Sequence, residues 1–238
     1  MLQEWQTAKV INIIDETPHT KRYFLEVSGV SRFDFKPGQF VTLDLPIHER
    51  KNKRWRSYSI ASPPDGTNVF ELVIVLVEDG LGTPHLFNKV GIGDELIMRG
   101  PSGVFVLPDT IAHDYFMICT GTGIAPFRSM IHYLFQQQIA TKNIYLIFGT
   151  RTQQDLLYHR EFVALEKQMP SFRFLPTLSR ETWEGHTGYV HDIYQSLAKD
   201  KPDAQFLLCG WKNMIDEARE HLDDMGFDKK QIHFELYG

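Results

Sequence analysis

At 238 residues, with 42% hydrophobic and 13% aromatic content, the chain has material for two cored domains, which excludes a disordered chain or a single small module. A formal net charge of −5 lacks the basic footprint of a nucleic-acid binder. Two cysteines, Cys119 and Cys209, each in an apolar run, exclude a four-cysteine zinc or iron–sulfur site within the chain and give no disulfide framework, so a reducing, cytoplasmic setting is expected. The start, MLQEWQTAKV, lacks a basic stretch followed by an apolar one, and no apolar run approaches the roughly 18 residues of a membrane span. The expectation is a soluble chain with no cleaved leader and no membrane partner.

In chain order, AKVINIIDET, KRYFLEVSG, GQFVTLDLP, RSYSIASPP, VFELVIVLVEDG and DELIMRGPSG are short apolar segments separated by Gly, Pro, Asp and Asn. That spacing predicts strands of a small antiparallel β-barrel. From about residue 113 the pattern changes: YFMICTG, NIYLIFGTR, FRFLPTLS and AQFLLCG read as buried strands. Between and after them, APFRSMIHYLFQQQ, LLYHREFVALEKQ, YVHDIYQSLAK and MIDEAREHLDDM read as helices, the signature of an α/β parallel sheet with crossovers. The two domains are therefore expected at 1–108 and 109–238, with no internal repeat.

The second domain carries the clearest binding signal. CTGTGIAPFRSM joins a strand to a helix through Gly121, Thr122 and Gly123, with Pro126 expected at the first helical position. Glycines there let a ligand approach the backbone, and a helix N-terminus offers amide donors to a diphosphate, although a plain tight turn gives the same spacing. Gly82 and Thr83 in DGLGTPHLF form a second such turn, with Thr83 expected as the N-cap of a short helix begun by Pro84. In RWRSYSIAS, a guanidinium fork matches phosphate oxygens, a phenol ring stacks on a flat heterocycle, and a hydroxyl can donate or accept. Strand alternation would send Arg56 and Tyr58 to one face and Ser57 and Ser59 to the other, so a bend or strand end is expected there. The ten histidines include no close ligand pair, and a metal site is not expected.

RSYSIAS, GTGIAPFRSM, LLYHREF, SRE, CGWKNM and FELY occur in the order and spacing of the ferredoxin–NADP reductase family, and CGWKNM with the near-terminal E-x-Y resembles its plant-type branch. The resemblance covers nearly the whole chain. It implies an FAD-binding barrel followed by an NAD(P)-binding domain, with FAD and NADPH as cofactors and NADH as the alternative. It assigns Arg56 to the flavin diphosphate, Tyr58 to one face of the isoalloxazine, Ser57 and Ser59 to its neighbourhood, Gly82 and Thr83 to the diphosphate, and Val73 and Val75 to a flanking strand. Ser59, Cys209, Glu235 and Tyr237 would surround the hydride path, Tyr237 covering the second flavin face, with Gly238 an extra residue beyond the family's terminal aromatic. Gly121, Thr122, Gly123 and Pro126 would hold the pyridine nucleotide. Ser179 and Arg180, with Arg151 nearby, would take its 2′-phosphate, and Tyr189 its adenine, although the lysine that usually follows is replaced by Thr187 and Gly188.

The basic run HERKNKRWR would steer an acidic electron carrier of the ferredoxin or flavodoxin kind, or would be only a solvated loop. Three functions remain open: an FAD-containing NAD(P)H reductase passing single electrons to a carrier, an NAD(P)H:flavin reductase using flavin as a substrate, and an electron-transfer subunit of a multicomponent oxygenase. The flavin is expected in a cleft between barrel and sheet.

Overall fold

The computed structural model describes residues 4–237. The chain divides into two units, one running to Val106 and including Arg128–Tyr133, the other comprising Leu107–Phe127 and the chain from Leu134 onward.

The first unit is built from β1 (Gln6–Thr17), β2 (Thr20–Val27), β3 (Phe40–Asp44), β4 (Trp55–Ser59), β5 (Val69–Val75), helix α1 (Gly82–Lys89) and β6 (Glu95–Ser102). Every expected strand is present. They form one antiparallel sheet in the order β4-β3-β6-β1-β2-β5. An Ile60–Leu72 bridge and a hydrogen bond from Ala61 N to Glu71 O of 2.8 Å bring the two edge strands together, which closes the sheet into a barrel. Period-two alternation fills its interior: Ala8 and Val10, Tyr23, Leu25 and Val27, Val41 and Leu43, and Phe70, Leu72 and Ile74 are all buried. A fully buried aliphatic or aromatic side chain of this kind contributes roughly 1.5–3 kcal/mol. The Tyr23 hydroxyl donates to Leu86 O at 3.0 Å and so fixes α1 against this core.

On the outer face of β5, Glu71 is only 2% exposed, and burial of a carboxylate requires partners. Arg22 supplies two parallel bonds, Nε to Oε1 at 2.6 Å and Nη2 to Oε2 at 3.0 Å. Arg128 adds a third, Nη1 to Oε2 at 3.1 Å, and also donates to Ala61 O at 3.0 Å. Ser129 Oγ donates to Ser62 O at 2.7 Å beside them. These contacts explain why residues 128–133 belong to the barrel unit.

The second unit holds β7 (Asp114–Thr120), α2 (Ile124–Gln136, shared with the first unit), β8 (Ile144–Thr150), α3 (His159–Glu166), β9 (Phe172–Leu178), β10 (His186–Thr187), α4 (Val190–Ala198), β11 (Ala204–Trp211), α5 (Lys212–Asp224) and β12 (Ile232–Tyr237). The sheet is parallel throughout, in the order β10-β9-β8-β7-β11-β12. Its central strands are continuous apolar runs because helices cover both faces. Strand order reverses at β7, which leaves a crevice between the carboxyl ends of β7 and β11, the usual ligand position in such sheets. Two strands exceed the sequence reading: β10 has two residues, and β12 is a half-exposed edge strand without a continuous apolar run. Among the described residues, no helix is long and apolar enough to cross a membrane.

A polar bridge joins α4 to α5. The Tyr194 hydroxyl lies 2.9 Å from His191 Nδ1 and 3.0 Å from His221 Nδ1, while His191 Nε2 lies 3.0 Å from Glu217. Burial, followed by the facing His221, lowers the pKa of His191 below its ordinary value, against the pull of Glu217 and Asp192. A folded-state pKa below the unfolded one means that the unfolded chain takes up the proton first. The stabilisation is therefore complete above the unfolded value of about 6.5 and is lost as pH falls below it. Thermal melts should show the wild type losing more stability than His191→Gln between pH 7.5 and 5.5; parallel curves would exclude this linkage.

Candidate functional site

In the barrel unit, β4 ends at Ser59, and the regular alternation stops where the sequence required it to. Arg56 and Tyr58 are register partners of Leu43 and Val41 and share their face of the sheet. The Arg56 guanidinium is held by carbonyls, donating from Nη1 to Trp55 O at 2.8 Å and to Lys53 O at 3.1 Å. Its stem lies over Gly82, where a Cβ would meet Arg56 Cγ at 3.0 Å and Nε at 3.1 Å. Arg56 is thereby pinned beside the start of α1, whose first-turn amides have no intrahelical acceptor. A fixed cation next to free amides suits a diphosphate. Burial pushes the Tyr58 phenol up to about 12, against the pull of Arg56, so the ring is neutral at working pH and offers a face rather than a proton.

Two expected placements change, those of Thr83 and Pro126. Thr83 is not an N-cap: α1 begins at Gly82, and Thr83 Oγ1 accepts from Val77 N at 2.8 Å and lies 3.3 Å from Val77 O, closing the preceding loop. Ser57 faces away from Arg56 and Tyr58, as strand alternation predicts, its Oγ 3.0 Å from Thr42 Oγ1. Pro126 is the third residue of α2, because Gly121–Gly123 form a 3-10 turn that runs directly into the helix; a missing N–H is harmless in that first turn. Ser59 is buried at the strand end, Val73 is buried, and Val75 is half-buried on the same face of β5.

In the second unit, the Gly121–Gly123 turn sits at the crevice between β7 and β11. Two glycines permit contact between the strand ends: a Cβ on Gly123 would stand 2.3 Å from Cys209 O, and one on Gly210 (φ +141°) 2.5 Å from Thr120 Oγ1. Gly121 (φ +55°) has open space on the corresponding side, where, apart from the turn's own neighbouring atoms, Trp211 Nε1 at 4.0 Å is the nearest atom among the described residues. Cys209 pairs in register with Glu235 on β12 and Cys119 on β7, while Tyr237 stands opposite Trp211. β12 thus brings Glu235 and Tyr237 to Cys209 through the parallel register.

Burial drives the Cys209 thiol well above its usual range, Glu235 and Cys119 raise it further, and a hydrogen bond with Tyr237 opposes them. Cys209 is a neutral thiol, suited to packing and orientation rather than nucleophilic attack. Gly238 lies outside the described residues.

At the carboxyl ends of β8 and β9, Ser179 N donates to Thr150 O at 3.0 Å and Arg180 N to Arg151 O at 2.9 Å, so the two arginines are neighbours. Both are exposed, and neither forms an ion pair with a described carboxylate. Tyr189 is exposed and lines an open groove with Leu175, Thr187 and Ile193.

Fold and site together define a two-domain flavin- and pyridine-nucleotide-dependent oxidoreductase. Residues 7–107 match the oxidoreductase FAD-binding domain family, and residues 117–220 the oxidoreductase NAD-binding domain family. The chain is 31% identical over 239 residues to ferredoxin–NADP reductase B of Sorangium cellulosum, covering 97% of this chain and 96% of that protein. It is 28% identical to the glycine betaine monooxygenase reductase subunit of Chromohalobacter salexigens, covering 97% of this chain but only 63% of that subunit's length. A ferredoxin NADP+ reductase from Neisseria gonorrhoeae, solved with FAD and NADP, superposes with a TM-score of 0.80 at 26% identity over 98% of each chain. The chain belongs to the ferredoxin–NADP reductase family and is an FAD-containing NAD(P)H oxidoreductase.

Gly123→Ala must push the β7 turn off the β11 backbone, an overpacking cost of about 1–3 kcal/mol. The expected result is a melting temperature lower by about 2–4 °C for each kcal/mol, together with a raised KM for NADPH. Unchanged values would show that this contact does not constrain the crevice.

Proposed function

We propose that the protein oxidises NADPH and passes electrons singly to a separate, acidic electron-carrier protein of the ferredoxin or flavodoxin kind. The observation that carries the reading is the convergence of a glycine turn, a neutral thiol, a carboxylate and an aromatic ring at one sheet crevice, in a chain whose other unit pins an arginine beside a helix start. When bound, FAD supplies the conversion between two-electron and one-electron transfer. Arg56 and the α1 amides hold its diphosphate, and Tyr58 lies on its ring. Gly121, Thr122 and Gly123 take the diphosphate of the pyridine nucleotide. Cys209, Glu235 and Tyr237 orient the nicotinamide and exclude water, and Ser59 offers a hydroxyl to the flavin. The exposed Arg151 and Arg180 pair, with Ser179, favours the 2′-phosphate of NADPH, because a dianion between two guanidiniums gains charge-assisted hydrogen bonds that NADH cannot make.

The partner reading rests on the segment before β4. Arg54 is bound to Asp44 at 2.7 Å, and Arg56 is engaged with backbone carbonyls, whereas Arg50, Lys51 and Lys53 are exposed. Those three cations remain to steer an acidic carrier. The match to an oxygenase reductase subunit favours, as a second reading, an oxygenase component as the electron acceptor.

At saturating NADPH, reduction of an acidic ferredoxin should fall steeply with added salt and with the double substitution Lys51→Glu and Lys53→Glu, while reduction of a neutral quinone stays constant. Equal responses of the two acceptors would remove the docking role.

A further inference from the structure

Trp211 stands at the carboxyl end of β11, two residues beyond Cys209, and the residue is 58% exposed. A large aromatic ring left in water forgoes the stabilisation of burial, and its backbone here is nonetheless firmly placed. Trp211 N donates to Thr120 Oγ1 at 3.4 Å, the residue is the register partner of Tyr237, and the chain turns into α5 immediately after it. Among the described residues, and apart from the turn's own neighbouring atoms, the indole Nε1 is what lies nearest, at 4.0 Å, to the place a Cβ would occupy on Gly121. That N–H has no acceptor among the described residues, and indole nitrogen can only donate. One wall of the open space at the glycine turn is therefore backbone, and the other is an unused hydrogen-bond donor.

We propose that Trp211 is a nucleotide-binding residue: its Nε1–H donates to the diphosphate of the pyridine nucleotide above Gly121, opposite the backbone amides of the turn. The proposal rests on the Gly121–Gly123 turn being the diphosphate site. Because the diphosphate is common to both pyridine nucleotides, Trp211 contributes affinity without contributing to the choice between them. That choice lies with Arg151 and Arg180 at the ends of β8 and β9. The indole nitrogen, not the ring area, carries the contact, so a phenyl ring is no substitute.

The test is titration of the flavin-loaded protein with NADP+ and with NAD+, read from the perturbation of the flavin spectrum, for wild type, Trp211→Phe, Trp211→Leu and Gly121→Ala. Loss of a hydrogen bond to a charged group should weaken both nucleotides by about 10-fold in Trp211→Phe and in Trp211→Leu. The ratio of the two dissociation constants and the spectrum of the unliganded flavin should be unchanged. Gly121→Ala fills the same space with a methyl group and should weaken both nucleotides as well. Wild-type affinity in Trp211→Phe with weakened binding in Gly121→Ala would overturn the role of the indole while leaving the turn as the diphosphate site. Wild-type affinity in both would overturn the site and the indole together. A loss confined to NADP+ in the Trp211 variants would place the indole at the 2′-phosphate and also overturn the proposal.

Discussion

The chemistry depends on how closely two strand ends approach. Where β7 gives way to α2 and β11 to α5, the backbone of Gly123 meets the carbonyl of Cys209, and Gly210 meets Thr120, at separations that leave no room for a Cβ. Parallel strands are set about 4.8 Å apart by their hydrogen bonds, but only glycine lets the connections beyond them stay in contact. This contact gathers the Gly121–Gly123 turn, the neutral thiol of Cys209 and the exposed indole of Trp211 around one crevice. Pairing of β12 with β11 then adds Glu235 and Tyr237 through register alone. On the proposed function, these ordinary polar and aromatic side chains would orient a nicotinamide without any group having to react covalently.

The barrel solves a different problem. Its interior is filled by simple alternation, yet the outer face of β5 carries a buried carboxylate between two guanidiniums. A buried ion pair of this kind is weak evidence for net stability, since desolvation offsets most of the attraction. Removal of one partner alone is costly, about 3–5 kcal/mol, because it strands a charge. Arg22, Glu71 and Arg128 therefore act as a unit that keeps β2, β5 and residues 128–133 in register within that unit.

Most of the architecture was legible in the sequence because its two periodicities differ so plainly. Period-two segments broken by Gly and Pro gave the barrel strands, and apolar runs alternating with amphipathic stretches gave the parallel sheet. The strands that were missed are those without such a signal: His186–Thr187 is too short for a pattern, and Ile232–Tyr237 is an edge whose residues are half-exposed. Within the candidate site, residue types and order point to glycine turns at the starts of two helices, which the structure contains, whereas their local geometry does not follow from them. Thr83 looks like a cap by its place before Pro84, but its hydroxyl closes the loop to Val77. Pro126 looks like a helix start, but the glycine turn ahead of it is already helical. The buried Glu71 lay inside an apolar run, and nothing local tied it to Arg22 or Arg128, which are distant in sequence. Trp211 likewise carries no sequence signal, because its exposure and its position over Gly121 are products of the strand pairing.

The proposed function requires that the barrel hold flavin as a resident group and that the second unit deliver electrons from a pyridine nucleotide with a 2′-phosphate. The most direct measurement is the visible spectrum of the purified, desalted protein, followed by anaerobic titration with NADPH and, separately, NADH. A retained flavin band that is bleached at lower concentrations of NADPH than of NADH is the predicted result. A colourless protein that oxidises either nucleotide only when free flavin is supplied would contradict it and make flavin a substrate instead.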